Sequence, residues 1–198
     1  MPRLSLIGAA SDRAFGFAGS ALPNIIEILV VGGGGGGDNV SGAASPLYGG
    51  GIGGYRAGNP PISIMSARVS SGSGGGGSGG FTGGPGAAGG SGILILKHSA
   101  TQPKIATFYS SGTFTAQSAT VNYLVVAGGG AGGGTQSTGQ SGGGGGGAGG
   151  FLESSMTMYP GVRQSITIGA GASGPGWTSQ PGNGSNSIFS TQIAIGGG

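Results

Sequence analysis

The stretch NYLVVAGGGAGGG, residues 122–134, runs without a break from an apolar, β-branched strand into glycine. It has a near-copy upstream in IEILVVGGGGGG, residues 26–37. Leu29-Val30-Val31 matches Leu124-Val125-Val126 at an offset of 95, and Gly53-Gly54-Tyr55 matches Gly149-Gly150-Phe151 at an offset of 96. One insertion or deletion therefore separates two copies of one design: a short hydrophobic strand leading into polyglycine. A repeat of this kind builds a scaffold and leaves few side chains for chemistry.

Composition sharpens that reading. The chain has 55 glycines in 198 residues, and 6% of its residues are charged, against about 7% glycine and about 25% charge in ordinary domains. The apolar residues fall in strand-length runs at Ile25–Val31, Ile93–Leu96, Tyr123–Ala127, Ile166–Ile168 and Ile193–Ile195. None approaches the roughly 20 residues of a membrane-spanning helix, so no membrane insertion is expected. Low charge and abundant glycine also describe disordered chains. Runs such as ILVV and ILIL, interleaved with the glycine, argue against that here. Collagen is excluded because its glycine recurs at every third position with abundant proline, whereas Gly32–Gly37 and Gly142–Gly147 are contiguous and proline totals 10. What remains is an extended helix of about three residues per turn, like polyproline II. Such helices, lacking side chains, pack closely and bond laterally through their amides, which satisfies the backbone groups of a buried segment.

The predicted fold is all-β: short strands alternate with extended polyglycine segments in two repeats. One chain of this composition has little core of its own, so the strands are expected to pair between chains as well as within them, in an intertwined homo-oligomer. The chain divides into an N-terminal arm at 1–24, a first repeat at 25–98, a linker at 99–106 and a second repeat at 107–198. Within these, His98–Lys104 reads as linker, residues 62–69 (ISIMSARV) as an extended stretch, and QSITI at 164–168 as a strand. Thr107-Phe108-Tyr109 and Thr113-Phe114-Thr115, flanking Ser110-Ser111-Gly112, read as a hairpin. The second repeat lacks a counterpart of the closing strand at Ser91–Lys97; either the unit is short or the polypeptide continues. Met1-Pro2-Arg3 is not followed by the continuous apolar stretch of a signal peptide.

Catalytic inventories come up empty. The acids are Asp12, Glu27, Asp38 and Glu153, with no two at a motif spacing, and His98 is the one histidine. General acid–base catalysis needs placed carboxylates or a histidine; His98 reads as a polar linker residue, and no nucleophile elbow is present. No enzyme activity, cofactor or metal is expected. There are no cysteines, hence no disulfides and no thiolate metal sites. The formal charge of +3 is spread over Arg3, Arg13, Arg56, Arg68, Lys97, Lys104 and Arg163, without the basic stripe that marks nucleic-acid binders. Binding through loops is the better expectation. Candidate loops are Asp38–Tyr48, Tyr55–Pro61, Phe151–Arg163 and Gly176–Asn186. Tyr48, Tyr55, Tyr159 and Trp177 are the candidate receptor contacts, by stacking on sugar faces. Tyr55 and Phe151, which recur at one place in both repeats, also suit packing on glycine backbone. Leu4, Leu6, Ile7, Phe15 and Phe17 are candidate anchoring residues in the arm.

The run TFYSSGTFT…VNYLVVAGGGAGGG…GGGGAGGF…SITIGAGASG resembles the glycine-rich domain of phage tail-fibre and other virion proteins, as do LVVGGG, GGIGGYR and GGSGILIL in the first copy. The resemblance covers roughly residues 25–198. A similar block occurs in an animal receptor kinase ectodomain, so the likeness speaks for a fold type rather than a task. The resemblance implies a virion component assembled in the host cytoplasm: a tail fibre, adhesin tip or surface decoration, often trimeric. Its partners would be itself, other virion proteins and a host-surface glycan or protein. A decoration or connector without receptor binding is one alternative; an extracellular glycine-rich matrix protein is another.

Overall fold

The computed structural model describes residues 50–51, 66–79, 84–99, 103–116, 120–135, 142–176 and 180–198. Among them no helix occurs, and eight strands form two four-stranded antiparallel sheets. The strands are β1 (Ile93–Ser99), β2 (Pro103–Phe108), β3 (Gly112–Thr115), β4 (Thr120–Val126), β5 (Phe151–Thr157), β6 (Arg163–Thr167), β7 (Ser187–Phe189) and β8 (Gln192–Ala194). The first sheet has the order β2-β1-β4-β5 and the second β3-β6-β7-β8.

Alternation fixes how the sheets pack. On β1, Leu94 and Leu96 point one way and Ile93 and Ile95 the other. Leu94, Leu96, Val121, Tyr123 and Val125 meet Phe114, Ile166, Phe189 and Ala194 of the second sheet in one buried cluster. Tyr123 and Phe189 meet edge to face at 5.5 Å, and Phe108 and Phe114 at 6.4 Å. Ile93, Leu124 and Val126 form a separate cluster on the other side of the first sheet.

Three sequence expectations are corrected here. The expected hairpin across Ser110-Ser111-Gly112 is a crossing between sheets: β2 pairs with β1, whereas β3 pairs with β6. Phe108 and Phe114 both face the shared core, so the intervening turn carries the chain from one layer to the other. The stretch His98–Lys104 is no linker at its ends. His98 lies in β1 opposite Lys104 in β2, and the two strands pair from Leu94↔Phe108 to Ser99↔Pro103. Of the stretch 62–69, only 66–69 is described; it is irregular and ends in a turn. The strand Ile25–Val31 lies outside the described residues.

Six of the eight strands adjoin glycine directly. Seven glycine segments are described: I (72–79), II (84–92), III (127–135), IV (142–150), V (168–176), VI (180–186) and VII (195–198). Segment III shows their geometry. Gly129, Gly132 and Thr135 donate their amides to Gly90, Ala87 and Gly84 of segment II at 2.9–3.0 Å. Ala127, Gly130 and Gly133 donate to Gly150, Gly147 and Gly144 of segment IV at 2.8–2.9 Å. Gly128 and Ala131 donate to Ser185 and Gly182 of segment VI at 3.0 Å. Every third amide thus faces the same neighbour, the signature of a helix with three residues per turn. Segment III also accepts from Gly75 and Ser78 of segment I, Ala172 of segment V and Gly197 of segment VII. Six neighbours therefore surround it. They bond to one another in the cyclic order I–II–V–VI–VII–IV, through pairs such as Gly90→Ser73, Gly89→Ala172, Ser185→Ala170, Gly184→Gly197, Gly150→Ile195 and Gly149→Gly72. The result is a hexagonal bundle whose interior is backbone. It supplies cohesion that a side-chain core would otherwise provide.

Candidate functional site: the loop-bearing pole of the glycine bundle

The connectivity gives the bundle two unlike poles. Segments II, IV and VI run into β1, β5 and β7, and β4, β6 and β8 run into segments III, V and VII. All six junctions lie at the sheet pole. The chain leaves the opposite pole at Gly79, Thr135 and Gly176 and re-enters at Gly84, Gly142 and Gln180. Three connections therefore depart from that pole: residues 80–83 (GFTG), 136–141 (QSTGQS) and 177–179 (WTS), which lie outside the described residues.

The platform beneath them is closely tied. Gly84 and Thr135 exchange backbone hydrogen bonds of 3.0 and 2.9 Å. Ser78, with no accessible surface, donates its hydroxyl to the Gly84 carbonyl at 2.7 Å and lies 3.0 Å from the Thr135 hydroxyl. Its amide donates to Gly133, and its carbonyl accepts from Gly143 at 2.5 Å. A methyl group on Gly134 would lie 2.6 Å from the Gly176 carbonyl oxygen, so segment V meets the same platform. Serine suits position 78 because its hydroxyl gives the Gly84 carbonyl a second donor beside the Thr135 amide.

Among the described residues this pole carries no charged side chain. Residues 72–92, 127–150 and 168–186 contain no charged side chain. The described charges, Arg68, Lys97, Lys104, Glu153 and Arg163, belong to the sheets and the adjoining turn. Chemistry at the platform is limited to hydroxyls, amides and, by sequence, the aromatic residues Phe81 and Trp177.

Of the predicted receptor contacts, Tyr48, Tyr55 and Trp177 lie outside the described residues, as do the anchoring candidates Leu4, Leu6, Ile7, Phe15 and Phe17. Tyr159 is described and is 79% exposed, in the turn between β5 and β6 where Gly161 takes φ +83°. That turn is at the sheet pole. Segment V ends at Gly176 at the other pole, on the order of 40 Å away along β6 and segment V at about 3.3 and 3.1 Å per residue.

Two of the expected loops change character. Phe151–Arg163 is mostly β5, with only the turn after it irregular. In Gly176–Asn186, Gly182 and Ser185 accept amides of segment III, so residues 180–186 belong to the lattice. His98 is likewise not an open linker residue: it is 7% exposed, and its ring meets Phe114 at a tilt of 59° with centroids 5.4 Å apart. Sequence reasoning missed the grouping of 80–83 with 136–141 and 177–179. These stretches are distant along the chain, and only the antiparallel lattice brings their ends together.

No curated protein and no solved structure matches the chain significantly. Residues 107–198, which take in β3 to β8 and segments III to VII, match the family model of a glycine-rich domain.

Proposed function

We propose that this chain is a phage structural protein of the tail-fibre or adhesin kind, homotrimeric in the virion. Residues 1–24 attach it, with Leu4, Leu6, Ile7, Phe15 and Phe17 as the anchoring side chains. The glycine bundle displays the connections 80–83, 136–141 and 177–179 to the host surface. The observation that carries this reading is that three connections depart from one uncharged pole, over a platform closed by Ser78 and Thr135. A rigid scaffold presenting loops at one end is the usual architecture for recognition. Aromatic, hydroxyl and amide groups without charge suit a neutral glycan. Of the four aromatic candidates, Trp177 directly follows segment V in sequence, and Tyr159 lies in the turn at the sheet pole. Self-association is supported by Phe151, Ile193 and Ile195, which are 54%, 51% and 70% exposed along the edge where β5 meets β8.

Immunogold electron microscopy of intact particles, with an antibody against residues 151–163, tests the proposal. This segment is well exposed at the sheet pole. Label at the tips of tail appendages is expected. Label over the capsid or tail tube would instead favour a decoration or connector. A sound antibody that marks no particle would exclude the virion role and leave an extracellular matrix protein as the better reading.

A further inference from the structure

Segment VI contains a reactive dipeptide. Of the chain's asparagines, Asn183 alone is followed by glycine. Asn183 is exposed, and Gly184 has no Cβ to hinder an approach to its nitrogen. Asparagine is among the thermally labile residues, and this setting favours its commonest loss. The Gly184 backbone nitrogen gives up its proton and attacks Asn183 Cγ. The bond from Cγ to the side-chain nitrogen breaks, and ammonia leaves. The succinimide so formed takes up water and opens at either carbonyl. One opening yields aspartate. The other yields isoaspartate, in which the main chain runs through the former side chain.

The lattice holds this reaction back. The Gly184 amide donates to the Gly197 carbonyl of segment VII at 2.7 Å, so the attacking nitrogen is engaged. Gly182 and Ser185, three residues apart, accept the Ala131 and Gly128 amides of segment III, which keeps segment VI extended across Asn183. Ring closure needs Cβ of Asn183 and the Gly184 nitrogen nearly eclipsed about the intervening Cα–C bond. That is roughly a quarter-turn from the ψ of about +145° in an extended helix of this kind. Reaching it breaks the bond from Gly184 to Gly197. Gly184 has no room to turn in place, because the Gly128 backbone fills the space beside its Cα.

We propose that Asn183 is a modification site, dormant while segments VI and VII are paired and converted to isoaspartate when they part, and that conversion locks them apart. Isoaspartate adds one atom to the main chain between Gly182 and Ser185. Their carbonyls then no longer match the spacing of the Ala131 and Gly128 amides. The product also brings a carboxylate into residues 168–186, which otherwise carry no charge. Beyond the modified residue, the Ser185 amide donates to Ala170 at 2.8 Å, and Asn186 Oδ1 accepts the Gly196 amide at 2.9 Å. The misfit therefore reaches segments V and VII as well as III. The pairing of VI with VII is thus a one-way latch, whatever the chain recognises at its far pole.

Ageing of the full chain in mildly alkaline buffer tests this, with isoaspartate assayed by enzymatic carboxyl methylation and located by peptide mapping. Conversion at Asn183 is expected to be about tenfold or more slower in native buffer than in urea, since only the opened lattice reacts. Two variants part the segments by different means. Gly197→Ala sets a Cβ against the Gly147 and Ala148 carbonyls, and Asn186→Ala removes the acceptor of the Gly196 amide. Each should speed conversion in native buffer toward the rate in urea, and Asn183→Gln should abolish it at this position. Should Gly197→Ala unfold, Asn186→Ala decides, because its side chain is exposed. Equal rates in native buffer and urea would overturn the proposal, as would an Asn186→Ala chain that ages no faster than the parent. Hydrogen exchange reads the lock. In the converted chain the Gly184 and Gly197 amides should stay unprotected after return to native buffer. In Asn183→Asp, which adds the charge without lengthening the main chain, they should be protected. Protection regained by the converted chain would exclude the lock.

Discussion

Glycine in this molecule is required for its missing Cβ more than for its conformational freedom. Among the described glycines only Gly72 and Gly161 have positive φ. A Cβ on Gly128 would instead overlap the Ala170 carbonyl, and one on Gly129 the Ser73 carbonyl. These obstacles are backbone atoms held in a lattice and cannot step aside. Gly129→Ala should therefore cost about 2 kcal/mol or more, at the upper end of overpacking penalties. A methyl group on Gly144 would meet nothing within 4 Å, and its φ is ordinary. Gly144→Ala should stabilise the fold by about 0.4–1 kcal/mol through the unfolded state. Urea unfolding of the two variants checks both, and equal effects would refute the lattice account. His98 poses the opposite problem, since its Nδ1 is buried without a hydrogen-bond partner. His98→Leu removes that atom while keeping an apolar surface for Phe114, and should raise stability by about 1 kcal/mol, read from the urea midpoint.

Each strand is bounded by what the adjoining element demands. β4 is apolar on both faces at Leu124, Val125 and Val126, because the core lies on one side and the closed outer cluster on the other. At Ala127 the side chains shrink and the hydrogen bonding changes from a ladder with two partners to a lattice with more. Ser187 serves the same junction in β7: fully buried, it accepts the Gly169 amide at 2.8 Å where β6 passes into segment V. On the outer face of the first sheet, Glu153 stands opposite Leu124, and burial raises its carboxyl above the ordinary 4.5. A carboxyl whose folded pKa exceeds its unfolded pKa favours the fold most when protonated. That benefit is complete below the unfolded pKa and lost as pH rises through the folded value. Glu153→Gln should therefore gain stability relative to the parent at neutral pH and converge with it in acid, as thermal unfolding across pH would record. A stabilisation that persists unchanged in acid would rule out ionisation as its cause.

At the scale of the whole molecule, a hexagonal backbone bundle of about 28 Å, from nine residues at about 3.1 Å each, separates two poles of different chemistry. The sheet pole carries the described charges and Tyr159. The far pole carries none of the described charges, and segment V, which precedes Trp177 in sequence, ends there. If recognition belongs to the far pole, Trp177→Ala should weaken binding to host cells about tenfold or more, as loss of an aromatic anchor does, whereas Tyr159→Ala should leave it unchanged. Cell-binding titrations with both variants provide the comparison; the reverse pattern would move the contact surface to the β5–β6 turn.

The sequence by itself determined the local structure. Glycine runs without a collagen period, adjoining β-branched strands, require an all-β chain with extended glycine helices, since nothing else satisfies so much backbone. Strand-length apolar runs marked β1 and β4, and QSITI marked β6. Which strands pair was not legible. The turn at Ser110–Gly112 looks like a hairpin because its flanks alternate correctly, and only the pairing of β2 with β1 and of β3 with β6 shows that it changes sheets. The grouping of the three pole connections was equally hidden. A glycine helix offers equivalent bonding faces around its axis and no side chains to choose among neighbours, so its partners are set by the strands at its end. Tertiary structure decided the lattice order, and with it the two poles.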